Sequence, residues 1–175
     1  MRKTVEFNMY GVNYRSRQFA AAEAVGLFSR LDAAHPTELL ALTEAQAEDK
    51  AWHSLKDGAN IDRYVRDVCG GFQPREVLDM VMFEIRKLNF GFSVPKVNVP
   101  ARFQSRVDHP DDPDGQHPVL SWLFVEGKAT WRELQEDYSL EDAFTMHREL
   151  LKSKVNAARE SEEAAKEAKK KARGG

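Results

Sequence analysis

Five histidines, one cysteine and one aspartate-rich run are the residues of this chain whose side chains could assemble a reactive site. The histidines (His35, His53, His109, His117 and His147) show no HxxxH or HExxH spacing, the arrangement that aims two imidazoles at one metal ion from a helix face. Residues 108–115 read DHPDDPDG. A calcium loop of the EF-hand type needs oxygen ligands at alternate positions, a glycine sixth and a glutamate twelfth. With Gly115 in sixth place the first position falls on Pro110, which has no side-chain ligand, so the run reads as a solvated acidic linker. Cys69 has no second cysteine to pair with, and nothing near it supports a Cys–His nucleophile. It reads as a small core residue on the apolar side of a helix. Gly70 and Gly71 lack phosphate-loop spacing and read as that helix's stop, because Pro74 opens the next one. His117, just before Pro118, is a candidate helix cap, and His147 reads as a packed histidine. No catalytic, metal or cofactor constellation emerges, and the expectation is a protein that is not an enzyme.

Trp122, Phe124, Trp131, Tyr138 and Phe144 could be read as a base-stacking surface. The helices that carry them also carry Glu126, Glu133, Glu136, Asp137, Glu141 and Asp142, which would repel phosphates, so core packing between short helices is the stronger reading. The net charge of −2 argues the same way against general nucleic-acid or anionic-membrane binding. No apolar run approaches the roughly 20 residues of a membrane span. The opening MRKTVEFNMYG has no apolar signal segment, and the single cysteine suits a reducing compartment. A cytosolic protein without a membrane partner is expected. Its 175 residues, 42% of them hydrophobic, suffice for a core.

Residues 4–10 and 12–17 flank Gly11 with Val5, Phe7, Tyr10, Val12 and Tyr14 and predict a short β-hairpin, too small to stand without helices packed on it. Residues 20–31 place Ala21, Ala24, Val25, Phe28 and Leu31 on one helical face, and Pro36 opens a second, short helix containing Leu39, Leu40 and Leu42. Residues 44–57 are polar except for Trp52 and Leu55 and read as a loop or irregular turn. Asn60 is the expected cap of a helix carrying Ile61, Tyr64, Val65 and Val68. The clearest helix starts at Pro74, with Val77, Leu78, Val81, Met82, Ile85 and Leu88 as a wide apolar stripe.

Residues 90–103 (FGFSVPKVNVPARF) differ from this. Two prolines and alternating apolar residues predict an extended arm rather than a central strand. Phe90, Phe92, Val94, Val97, Val99 and Phe103 are the candidate binding residues of the chain. They either add to another chain or cross the protein's own surface. Residues 104–116 are rich in proline and aspartate and predict a flexible acidic linker. It divides a body, residues 1–103, from a helical module, residues 117–158, in which Thr130 with Glu133 predicts a capping box and Ser139 caps the last helix. The apolar stripe of that last helix stops at Val155. Residues 159–175 form a charged tail with Glu162–Lys166 and Glu167–Lys171 pairs at i,i+4, predicting a solvent-exposed helix end. The expected fold class is mostly α with a small N-terminal β-hairpin (α+β).

Four stretches, in order and pattern, resemble the tail assembly chaperones of long-tailed bacteriophages. These are TVEFNMYGVNYRSRQFAAAEAVGLFSRL, REVLDMVMFEIRKLNFGFSVPKVNVPARF, GKATWRELQEDYSLEDAFTMHRELL and the charged, alanine-rich tail. They cover most of the chain apart from residues 44–60 and 104–116, and none is a chemical signature. The resemblance implies a helical, non-enzymatic protein of the host cytoplasm that binds the tape-measure protein, with the tail tube protein as a second candidate partner. It also implies short and frameshift-extended forms, for which the codons of Lys169, Lys170 and Lys171 would supply an adenine-rich slippery run. A structural tail or baseplate component is the nearest alternative. A small regulatory enzyme or a nucleic-acid adaptor using the basic tail is a third reading from another class.

Overall fold

A computed structural model describes residues 1–46, 48, 50–103 and 117–173 of the chain. The expected acidic linker, residues 104–116, and the last two residues lie outside that description. The fold is α+β: a four-stranded antiparallel meander, then helices, ending in one long helix.

Strands β1 (Thr4–Met9) and β2 (Val12–Arg17) form the predicted hairpin. Its two-residue loop holds Tyr10 and Gly11 at φ 49° and 84°, the left-handed pair that matches the twist of the strands. The sheet is wider than the sequence suggests. Residues expected to be a loop form β3 (Thr43–Gln46) and β4 (Trp52–Ser54), in the order β1-β2-β3-β4. Thr43 and Ala45 point into the core with no accessible surface, and the Ser16 and Thr43 hydroxyls meet at 2.9 Å. On the opposite face Arg15 pairs with Glu44 and lies over the Trp52 ring, 4.5 Å from its centroid.

Helix α1 (Ala21–Phe28) buries Ala21, Ala24 and Leu27. Phe28, expected on the buried face, is 57% exposed. Helix α2 (Pro36–Leu39) is closed by a capping box in which His35 is the cap. Helix α3 (Gly58–Tyr64) starts at Asp57 rather than Asn60 and ends before Val68 and Cys69. Both leave the expected core. Cys69 is exposed in a loop, and the backbone N–H of Val68 donates to the Tyr10 carbonyl at 3.0 Å, over the hairpin turn. Helix α4 (Pro74–Phe90) follows its predicted stripe and fully buries Val77, Val81 and Ile85.

Helices α5 (Pro118–Val125), α6 (Trp131–Glu136) and α7 (Leu140–Arg173) complete the chain. Thr130 and Glu133 form the predicted capping box of α6. Ser139 caps α7 reciprocally with Asp142, the Asp142 N–H donating to the Ser139 hydroxyl at 3.2 Å and the Ser139 N–H to the Asp142 carboxylate at 3.0 Å.

Two apolar cores result. The first lies between the sheet, α1 to α4 and the first turns of α7; the second joins α5, α6 and α7 to the Ala21, Ala22 and Val25 side of α1. Phe144 packs on the first core rather than with the module's tryptophans, and Phe124 is 54% exposed. Backbone bonds also tie the two segments: Ala21 N–H to the Tyr138 carbonyl at 2.8 Å and Arg2 N–H to that of Asp137 at 3.2 Å. On α7, burial ends at Val155.

Candidate functional site

The arm begins where α4 is anchored most firmly. The last carbonyls of a helix lack intrahelical donors, and here the Gln18 side chain donates to the Leu88 carbonyl at 2.9 Å. Buried Asn89 works in both directions: its Oδ1 accepts from the Phe19 N–H at 2.8 Å, and its Nδ2 donates to the Ile85 carbonyl at 2.8 Å. Gly91 then lets the chain leave the helix, because a Cβ there would stand 2.5 Å from the Lys87 carbonyl oxygen.

Phe90 closes α4 rather than opening the extended segment, and its ring tilts on Phe28 at 5.5 Å. Phe92 reaches Phe144 of α7 at 6.0 Å. Beyond it the side chains alternate. Phe92, Val94, Val97 and Val99 are half-buried, while Ser93, Lys96 and Asn98 are exposed. A single 3₁₀ turn, Ala101–Phe103, ends the arm. There Arg102 lies over the Phe103 ring at 4.8 Å, and its Nε donates to both Glu162 oxygens at 3.0 and 3.1 Å. Glu162, expected to pair with Lys166 along the helix, thus fastens the arm to α7. Among the described residues, no backbone group from Phe92 to Asn98 makes a hydrogen bond. The six candidate residues are therefore strung along one path between the first core and α7, with their side chains half-covered.

The histidines are dispersed. His35 caps α2, His53 stacks on Tyr64 at 4.5 Å, and the N–H of Val119 donates to His117 Nδ1 at 3.3 Å. His147 meets the edge of Trp122 at 4.7 Å, and His117 lies 5.7 Å from Phe144. Burial holds His117 below the ordinary imidazole range; burial, with His117 nearby, does the same for His147. His109 lies outside the described residues. Around Cys69, burial would raise the Asp67 carboxyl, but N–H groups of Cys69, Gly71 and Phe72 donate to it at 2.7, 2.7 and 3.0 Å and bring it below its usual range. Among the described residues no three His, Cys, Asp or Glu side chains converge as metal ligands, and no helix is long and apolar enough to cross a membrane.

Sequence reasoning missed a set of exposed apolar side chains: Phe83 and Val68 at 62%, Val125 at 77% and Phe72 at 43%. Phe83 was open to discovery, since it lies off the Val77–Val81–Ile85 stripe of its own helix. Val68 was hidden because it was read as part of α3, which ends at Tyr64. No protein-family model, no curated protein and no solved structure matches this chain.

Proposed function

We propose that the chain is a tail assembly chaperone of a long-tailed bacteriophage, which in the host cytoplasm shields apolar segments of the tape-measure protein until the tail tube closes around it. A long helix with an uncovered apolar face aggregates, and a binder that offers apolar side chains in a row meets that need. The observation that carries the reading is the arm: Phe90, Phe92, Val94, Val97, Val99 and Phe103 are all short of full burial, and the backbone from Phe92 to Asn98 makes no hydrogen bond among the described residues. The exposed Phe28, whose ring meets Phe90, extends that apolar path. The charged end of α7 is largely solvent-exposed past Val155, which is compatible with this reading.

Mass spectrometry of purified particles tests the proposal against its alternative, a structural tail or baseplate component. A chaperone is scarce or absent in the particle and captures the tape-measure protein from infected-cell extract. Stoichiometric presence in the finished virion overturns the reading.

A further inference from the structure

Among the described residues two stretches of backbone have edges without hydrogen bonds, β1 and residues 92–98 of the arm, and they fit each other. The loop of two residues makes Met9 and Val12 a hydrogen-bonded pair, so Phe7 with Tyr14 and Val5 with Ser16 are also hydrogen-bonded pairs. The Gln18 N–H to Lys3 carbonyl bond at 2.9 Å continues the same alternation. The N–H and C=O groups of Thr4, Glu6 and Asn8 consequently point away from β2, and none of them makes a hydrogen bond among the described residues. An uncovered strand edge of this kind is a template for another strand. Edge-to-edge pairing of two β1 strands in the antiparallel register that sets Thr4 against Asn8 would also set Glu6 against Glu6, which like-charge repulsion disfavours.

We propose that the β1 edge takes the arm of a second copy of this chain, Lys96 to Asn98, in a reciprocal dimer. Three features of the arm match the edge. Lys96 and Asn98 are exposed and Val97 and Val99 half-buried, the same alternation as exposed Glu6 and Thr4 beside half-buried Val5 and Phe7. With Lys96 opposite Glu6, Asn98 falls opposite Thr4 and Pro95 opposite Phe7. In that register Lys96 and Asn98 turn their N–H groups toward β1, and the missing N–H of Pro95 faces outward, where an edge tolerates it. Val94 and Val99 each precede a proline, which biases both toward extended backbone. Lys96 against Glu6 supplies the opposite charge that the edge asks for.

In its own chain the arm runs instead along α7 to Glu162, so each copy can offer both an arm and an edge, as a two-fold dimer requires. The dimer stands or falls independently of the chaperone reading. If both hold, one arm cannot serve client and second copy together, and client must drive dimers apart.

Charge exchange tests it, by sedimentation equilibrium of the full chain over a concentration series. Wild type is expected to dimerise. Glu6→Lys sets lysine against Lys96, and Lys96→Glu sets glutamate against Glu6, twice per dimer. Each variant alone should raise the dimer dissociation constant by about tenfold or more. An equimolar mixture of the two variants makes both contacts complementary and should restore wild-type association. Circular dichroism confirms that each variant is folded, which both exposed positions permit. A wild type that stays monomeric, single variants that dimerise undiminished, or a mixture no tighter than its components would each overturn the proposal.

Discussion

Helix α4 and the arm that follows it are similarly rich in apolar residues, yet the chain treats them differently. Val77, Val81 and Ile85 are at most 1% exposed and every turn of their backbone is hydrogen-bonded within a helix. Phe92, Val94, Val97 and Val99 are half-buried, and among the described residues the backbone from Phe92 to Asn98 makes no hydrogen bond. Apolar content therefore does not separate the buried helix from the half-covered arm; regular backbone pairing does. A segment that satisfies its own peptide groups can be buried whole, whereas an extended segment must stay near water or find a partner.

The difference is sharpest at Ile85. Replacing it by alanine removes a fully buried side chain from the first core and should destabilise the protein by about 2–5 kcal/mol, read from denaturant or thermal unfolding. A loss below about 1 kcal/mol would mean that α4 is not held as described.

A smaller effect is expected where α5 meets α7, between these extremes of burial. His117 and His147 are both held below the ordinary imidazole value of 6.5 in the folded chain. As pH falls, the unfolded chain takes up protons first, so stability is complete above that value and is lost as pH drops from it toward the lowered folded values. Melts across this range should show the decline, and it should lessen in His147→Phe. A flat profile between neutral pH and the onset of carboxylate titration would contradict the burial of these rings.

The least effect belongs to the end of α7. Past Val155 the described side chains bury nothing large, and the Arg102–Glu162 pair is exposed enough to contribute at most about 1 kcal/mol. Deleting residues 164–175 keeps that pair and should leave the melting temperature nearly unchanged. A large drop would show that the tail is packed.

The sequence was legible where periodicity and caps agree. Pro74 and the Val77–Val81–Ile85 stripe, the Thr130–Glu133 box and the end of burial at Val155 are all found as read. It was opaque where tertiary pairing overrides local preference. Strand β3 is Thr-Glu-Ala-Gln, poor in strand formers apart from its threonine, and forms because β2 offers an edge and Ala45 fits the core. Cys69 misled because the helix that would have buried it stops at Tyr64, where the chain turns to cover the hairpin loop. That the arm forms neither helix nor strand from Gly91 to Pro100 was readable from Pro95 and Pro100; its half-burial and its fastening through Arg102 to Glu162, 60 residues away, were not.

The arm as a docking element is tested most directly by Phe92→Ser combined with Val94→Ser, with unfolding and capture of the tape-measure protein measured on the same preparation. Both side chains are only half-buried, so the double variant should lose less stability than Ile85→Ala while capture falls at least tenfold. Capture that survives in the folded variant, or that declines only in step with unfolding, would contradict the account.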